Sequence, residues 1–216
     1  MSTTAKISGL YAITPDSADD AWLYARVEQA LAGGAGTLQY RNKRAAPAQQ
    51  HRQAERLAAL CRRHGSRFIV NDDVALARSL GAGVHLGRDD ADLAAARAEL
   101  GPHATIGASC YDDLERAARA ARAGADYLAF GSFFPSLVKP GAMRPGPELL
   151  RAARARWDLP LVAIGGIDRT NAALLLAAGA DALAVITALF GAPDTYAAAR
   201  ELCALFESRP ACAETH

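Results

Sequence analysis

The chain is poor in large rings. Phe, Tyr and Trp together make up 6% of its 216 residues, and only two are Trp. It also lacks net charge: 24 Lys and Arg stand against 23 Asp and Glu, a formal balance of +1. A nucleic acid or an anionic membrane as main partner would call for clustered positive charge, so both are excluded on this count. An apolar share of 51% likewise excludes a disordered chain. The four cysteines, Cys61, Cys110, Cys203 and Cys212, form no CxxC pair and no metal-ligand spacing. They read as reduced thiols rather than a disulfide frame. No basic segment followed by an apolar run opens the chain, so no signal peptide is expected and the cytoplasm is the expected compartment. The long apolar stretch from Ala172 to Ala192 is broken at Gly179-Ala180-Asp181, which predicts a buried helix followed by a buried strand and no membrane span.

What the chain has in plenty is alternation. Short apolar runs predict strands over Gly9–Thr14, Thr37–Arg41, Arg67–Val70, Gly83–Leu86, Thr105–Ala108, Tyr127–Gly131, Pro160–Ile164 and Ala182–Ile186. Ala-rich helical stretches lie between them, among them Ala18–Leu31, Pro47–His64, Ala91–Leu100, Asp112–Ala123, Pro147–Ala155 and Arg169–Ala178, with a closing helix at Asp194–Phe206. Several helices end in the same way, at Ala32-Gly33-Gly34, Ala123-Gly124-Ala125-Asp126 and Ala178-Gly179-Ala180-Asp181, where Gly accepts the left-handed backbone that stops a helix. Eight strand–helix units in one chain predict a (β/α)8 TIM barrel, an α/β fold occupying residues 1–216 as a single domain with short flexible tails at about 1–7 and 208–216. An open doubly wound sheet is the competing topology. It is disfavoured because Thr14-Pro15-Asp16-Ser17, and no GxGxxG, follows the first strand.

In a barrel the chemistry sits at the carboxyl ends of the strands. The second ends Gln39-Tyr40-Arg41-Asn42-Lys43, where alternation sends Gln39, Arg41 and Lys43 the same way. Either a multiply charged anion is held there or two ordinary bases sit on a solvated loop; the motif alone weights the two evenly. The third ends Asn71-Asp72-Asp73 and the fourth His85-Leu86-Gly87-Arg88-Asp89-Asp90. Two acidic strand ends beside two bases suit Mg2+ bridging to phosphate. The alternative is helix N-capping by Asp73 and by Asp89 or Asp90, and both readings can hold at once. His85, inside an apolar strand, reads as a packed and hydrogen-bonded residue before a general base. Beyond the fifth strand stand Ser109 and Cys110, and no base identifiable nearby makes the cysteine a nucleophile. The sixth strand opens a long loop, Ser132 to Gly141, of the length of a lid or clamp. Gly165-Gly166 after the seventh strand lets backbone N–H groups approach a phosphate, with the start of the next helix adding its dipole, although tight packing alone could explain the pair.

Taken together, these residues resemble the thiamine phosphate synthase family. The resemblance covers nearly the whole chain and rests on Gly9-Leu-Tyr-Ala-Ile-Thr14, Gln39-Tyr-Arg-Asn-Lys43, Val70-Asn-Asp72, Gly83-Val-His-Leu-Gly87 with Asp90, Ser109, Phe134-Pro-Ser136 with Lys139, and Ala163-Ile-Gly-Gly-Ile167. It implies a barrel enzyme in which a hydroxymethylpyrimidine diphosphate loses pyrophosphate and a thiazole phosphate nitrogen takes its methylene carbon. By resemblance, the Gln39–Lys43 segment (Tyr40 and Asn42 included), Asn71, Ser109 and Lys139 hold the pyrimidine diphosphate. Arg41, Lys43, Ser109 and Lys139 do the catalytic work, and Asp72 and Asp90 hold Mg2+. Ser136, Val138, Gly166, Ile186 and Thr187 fall to the thiazole phosphate.

The chain departs from the family's pattern at Asn42, where many relatives have Glu and the side chain is expected to point away from ligand. Thr187 replaces a Ser and keeps its hydroxyl. Val138 replaces a Thr of the clamp loop, which removes a hydroxyl contact worth about 1 kcal/mol. The expected partners are small phosphorylated substrates, with self-association into a homo-oligomer left open. A metal-free thiazole tautomerase on the same barrel and a non-catalytic sensor of thiamine phosphates are the competing functions; the acids and bases of the second to fourth strands have no obvious use in the first of these. Val138→Thr should leave the KM for the thiazole phosphate unchanged or lower it, in steady-state assays; a large loss of activity would contradict the placement of this loop.

Overall fold

The structure, a computed structural model, describes residues 6–88, 92–135 and 145–207. Eight parallel strands close into a barrel in chain order: β1 (Gly9–Ile13), β2 (Thr37–Tyr40), β3 (Arg67–Asn71), β4 (Gly83–Leu86), β5 (Ile106–Tyr111), β6 (Tyr127–Phe130), β7 (Leu161–Ile164) and β8 (Ala182–Val185). The helices are α1 (Asp20–Ala32), α2 (Pro47–His64), α3 (Val74–Leu80), α4 (Leu93–Leu100), α5 (Leu114–Arg122), α6 (Glu148–Arg154), α7 (Ala172–Ala177), α8 (Thr187–Phe190) and α9 (Thr195–Glu207). β1 pairs with β8 from Gly9↔Ala182 to Ala12↔Val185, which closes the sheet. The expected (β/α)8 fold is what the chain forms.

Local chemistry accounts for the helix ends. Asp19, Asp73, Asp92 and Asp113 each precede a helix in extended backbone and accept hydrogen bonds from its first-turn N–H groups. Asp73 therefore caps as expected, whereas α4 is capped by Asp92 and begins two residues beyond the predicted Ala91. Asp89 and Asp90 lie outside the described residues. α2 has Pro47 at its start and ends at Gly65 in left-handed backbone. α7 starts at Ala172, later than the predicted Arg169, because Asp168 turns the backbone first, accepting from the N–H groups of Thr170 and Asn171.

Side chains alternate in and out along each strand. Leu10, Ala12, Leu38, Val70, Val84, Leu86, Leu128, Leu161, Ala163 and Leu183 point outward into a continuous core with the helices. Tyr11, Ile13, Tyr127, Ala129, Val162, Ala182 and Ala184 form a separate buried cluster inside the barrel. That interior is apolar on the side of β6 to β1. On the side of β2 to β5, beneath which Ile69 packs, the inward residues toward the mouth are polar: Gln39, Asn71, His85 and Ser109. Continuous apolar strands, the pattern expected from the sequence, describe the outer face well and this inner face poorly.

The Gly-Ala-Asp turns carry a device used twice. Asp126, at the entry to β6, accepts from the N–H of Ile106 at 2.6 Å and from Arg97 of α4 at 2.6 Å. Asp181, at the entry to β8, accepts from the N–H of Leu161 at 2.8 Å and from Arg154 of α6. Each Arg also donates to three backbone carbonyls, those of Gly101, Ala104 and Gly124 for Arg97 and those of Trp157, Leu159 and Gly179 for Arg154. The guanidinium thus satisfies carbonyls at a helix end and in the loop beyond it, while the carboxylate starts the neighbouring strand. Arg154→Ala should lower the free energy of unfolding in urea by about 2 kcal/mol, because a half-buried carboxylate and three carbonyls lose their donor. A loss below about 0.5 kcal/mol would show that water replaces the guanidinium freely.

Candidate active site

The strand-two motif is held from below by the end of β1. Thr14 Oγ1 accepts from the N–H of Arg41 at 2.8 Å and donates to its carbonyl at 2.9 Å. Asp16 Oδ1 accepts from the N–H of Lys43 at 2.8 Å and ion-pairs with the Arg41 guanidinium at 3.3 Å. Lys43 reaches the neighbouring strand end, its Nζ lying 2.9 Å from Asp72 Oδ2. Gln39 is buried in the barrel and donates to the Tyr11 hydroxyl at 2.9 Å. Gln39, Arg41 and Lys43 are thus carried by one strand end as expected.

The side chains of Tyr40 and Asn42 are not brought to the mouth, as expected for Asn42 and contrary to the placement of Tyr40. Both are buried on the outer side of β2, where the Tyr40 hydroxyl and the Asn42 amide donate to Gln53 of α2 at 2.9 and 3.0 Å. Asn42 also donates to the Ser17 carbonyl at 2.7 Å. Alternation makes this unavoidable: if Gln39 and Arg41 face in, the residues between them face the helices.

Asn71 ends β3 in register with His85 of β4. Asp72 follows with φ of 66°, a left-handed conformation uncommon outside glycine, and its N–H donates to the His85 carbonyl at 2.9 Å. Such backbone is held where the surrounding structure demands it, and it concentrates at functional sites. Asp72 is 27% exposed, partnered by Lys43, and stands where an ion could reach it.

Ser109 lies within β5 rather than beyond its end. The pairing of β5 with β6 slips between Ser109 and Tyr111, a bulge beside an expected site residue. Its hydroxyl is 2.8 Å from His85 Nε2, and His85 Nδ1 is 3.0 Å from the Tyr127 hydroxyl. His85 is 8% exposed and hydrogen-bonded on both ring nitrogens, as expected of a packed histidine. Arg116 of α5 donates to the carbonyls of Ser109 and Gly87, at 2.6 Å each, and so ties the ends of β4 and β5 together. Cys110 points outward into the core, where burial pushes its thiol up to about 12.

The loops after β6 and β7 lie against each other. The N–H groups of Phe133 and Phe134 donate to the carbonyls of Ile164 and Gly165 at 3.1 and 3.0 Å. Gly166 has φ of 61°, and a Cβ there would collide with the carbonyl of Pro135 and the backbone of Phe134. Only glycine allows this approach. The Asn171 amide anchors the Gly166 carbonyl at 2.9 Å. The helix near a strand end is α8, directly after β8, and not α7. Ile186 is its N-cap residue and Thr187 its first residue; the Ile186 carbonyl accepts from the N–H groups of Leu189 and Phe190 at 3.2 and 2.9 Å. Asp90, Ser136, Val138 and Lys139 lie outside the described residues.

Sequence reasoning missed Thr14, Asp16, Tyr11, Tyr127 and Arg116. Asp16 was visible only as part of a loop lacking a glycine fingerprint, and the two tyrosines carry polar tips that an apolar strand pattern hides. A cleft of about 420 Å³ opens at the opposite, amino-terminal end of the barrel, between Lys6, Arg67, Thr105, Asp126 and Pro160, and none of the expected site residues lines it. Among the described residues no group of three or more His, Cys, Asp or Glu comes together as a metal cage. The hard oxygen donor of Asp72 at a strand end fits Mg2+, which takes one or two carboxylates and fills its other positions with water and phosphate oxygens.

Bases, a carboxylate and glycine-backed loops at the mouth of a closed (β/α)8 barrel define an enzyme of the class that handles phosphorylated small molecules. Comparison with known proteins narrows this. Residues 10–189 match the family model described as thiamine monophosphate synthase, and the chain belongs to that family. The thiamine-phosphate synthase of Thiobacillus denitrificans is 56% identical over 203 residues, covering 94% of this chain and 96% of the relative. That of Chromobacterium violaceum is 56% identical over 205 residues, covering 94% and 99%. The solved structure of a thiamine phosphate pyrophosphorylase from Pyrococcus furiosus superposes with a TM-score of 0.81 at 38% identity, covering 92% of this chain and 95% of that one.

The buried thiols give a direct check on this geometry. At pH 8 iodoacetamide should leave Cys61 and Cys110, both pushed up to about 12 by burial, unmodified in the native protein and alkylate them after denaturation. Peptide mass spectrometry reads both, and rapid native labelling of Cys110 would contradict its place in the core.

Proposed function

We propose that the chain condenses a hydroxymethylpyrimidine diphosphate with a thiazole phosphate to give thiamine phosphate and pyrophosphate. The observation that carries the reading is the meeting of Lys43 with Asp72 across the ends of β2 and β3, with Arg41 held at the same strand end by Asp16, next to inward Gln39 and Asn71. Relatives that are more than half identical over nearly the whole chain and named thiamine-phosphate synthase support it.

In this reading the C–O bond between the pyrimidine methylene and the diphosphate breaks, and its electron pair leaves with pyrophosphate. The amino group on the ring releases electrons toward the methylene carbon, which takes on cationic character before the thiazole nitrogen attacks. The protein then has two tasks, neutralising the leaving group and aligning the nitrogen. Arg41 and Lys43 supply fixed positive charge, with Lys139 from the clamp loop as a third base. Asp16 holds the Arg41 guanidinium in place, so less ordering is left to ligand binding. Gln39, Asn71 and Ser109 orient the pyrimidine diphosphate by hydrogen bonds. Mg2+ would be held by Asp72 and Asp90 and would neutralise charge developing on the departing phosphate oxygens. Lys43, which pairs with Asp72 at 2.9 Å, would offer its charge to phosphate from the same strand end. Gly166 and the first turn of α8, at Ile186 and Thr187, offer backbone N–H groups to the thiazole phosphate, to which the resemblance also assigns Ser136 and Val138.

A cytoplasmic setting belongs to the same proposal, supported by unpaired thiols at Cys61, Cys110 and Cys203. No helix among the described residues is long and apolar enough to cross a membrane. The pure protein, given both precursors and Mg2+, should release thiamine phosphate and pyrophosphate in equal amounts by chromatography. Asp72→Ala should cut kcat by about 100-fold or more in a protein that still folds, its unfolding temperature lower by only a few degrees from Ala in left-handed backbone. Absence of both products from the wild-type protein would overturn the function, and normal turnover by Asp72→Ala would overturn the metal assignment.

A further inference from the structure

A chain of hydrogen bonds crosses the interior of the barrel. Gln39 Nε2 on β2 donates to the Tyr11 hydroxyl on β1 at 2.9 Å, and Tyr11 meets the Tyr127 hydroxyl on β6 at 2.8 Å. Tyr127 meets His85 Nδ1 on β4 at 3.0 Å, and His85 Nε2 meets Ser109 Oγ on β5 at 2.8 Å. Tyr11 and Tyr127 are 1% and 0% exposed, and Gln39 and His85 3% and 8%. Barrel interiors are ordinarily filled by branched apolar side chains, so a polar line through five strands needs a reason. The sheet also makes room for it: a Cβ on Gly107 of β5 would collide with the Tyr127 ring and hydroxyl. The Tyr127 and His85 rings stack at 5.6 Å, and Tyr11 packs edge-on to Tyr127 at 6.0 Å, which fixes the rings as well as the polar tips.

Either hydroxyl can donate between Tyr11 and Tyr127 and either tautomer of His85 fits its two contacts, so the direction of the line is taken from the Gln39 donor at one end. Because Gln39 donates to Tyr11, the Tyr11 proton goes to Tyr127. The Tyr127 proton then goes to His85 Nδ1, which must be bare. The imidazole proton therefore sits on Nε2 and is donated to Ser109 Oγ. Accepting from His85 in this arrangement, the Ser109 hydroxyl keeps its own proton to donate. The two ends of the line, Gln39 and Ser109, are both residues placed at the pyrimidine diphosphate in the functional reading above, on which this inference rests.

We infer that Tyr11, Tyr127 and His85 are positioning residues, forming a one-way hydrogen-bond relay that makes Ser109 a donor toward the pyrimidine diphosphate and couples it to the orientation of the Gln39 amide. None of the three needs to touch substrate. A relay of this kind predicts that breaking it anywhere has its effect through Ser109, whereas residues that merely fill the barrel would act on stability and on both substrates alike.

A double-mutant cycle separates these cases. Tyr127→Phe keeps the ring and should leave the unfolding temperature within a few degrees of the wild type. It should lower kcat/KM for the pyrimidine diphosphate by about tenfold, with the KM for the thiazole phosphate unchanged. In a Ser109→Ala background the same change should cost less than about twofold. Equal losses in the two backgrounds, or a rise in both KM values, would overturn the relay. His85→Gln, whose amide can accept from Tyr127 and donate to Ser109, should keep several times the activity of His85→Leu; equal activities would count against it. The 15N spectrum of the wild-type imidazole needs no turnover. A neutral ring protonated at Nε2 supports the relay, and a proton on Nδ1 overturns it. If the wild-type protein makes no thiamine phosphate, the functional reading falls while this spectrum still decides the relay.

Discussion

Closure of the sheet, β1 against β8, is the constraint on which everything else depends. An open sheet of the same strands would have β1 and β8 as its opposite edges, with the end of β2 six strands away from that of β8, and no ligand could touch both. Once the strands close, residues distant in the chain become neighbours around one mouth. The end of β1 meanwhile grips the motif of its direct neighbour β2 through Thr14 and Asp16. Parallel strands sharing one direction bring every carboxyl end to the same face. Four ordinary side chains, Arg41, Lys43, Asp16 and Asp72, thereby become an electrostatic cluster that none of them forms alone.

The interior divides into two halves with different tasks. From β6 round to β1 it is packed with Ala129, Val162, Ala182, Ala184 and Ile13, which hold the barrel's shape by burial. From β2 to β5 it carries Gln39, Asn71, His85 and Ser109, which hold direction by hydrogen bonds. Tyr11 and Tyr127 belong to both, presenting ring surface to one half and hydroxyls to the other. No buried side-chain nitrogen or oxygen among the described residues lacks a partner, so this polar half is compatible with a dry core.

Much of this was legible in the sequence. Outward-facing strand residues and helix punctuation are local signals, so the element order and the Gln39–Arg41–Lys43 face could be read directly. The roles of Tyr40 and Asn42 could also have been settled by strand alternation, which places both against Gln53 once Gln39 is inside. Other features were out of reach because they are made by pairs far apart in the chain. Asp16 matters only through Arg41, and Tyr11 only through Tyr127, 116 positions away. The bulge that sets Ser109 within β5 depends on register with β6, which no single strand encodes.

The twin clamps of Arg97 with Asp126 and Arg154 with Asp181 bear on how the chain assembles. Each spans fewer than thirty positions and links a helix to the two strands that follow it, so its partners meet with a small loss of chain entropy. The β1–β8 seam, in contrast, joins the two ends of the sequence and adds to the contact order that slows folding. The second half of the barrel is thus provided with staples that can form before the ring is complete, and a ring-closing step remains to bring the first strand home.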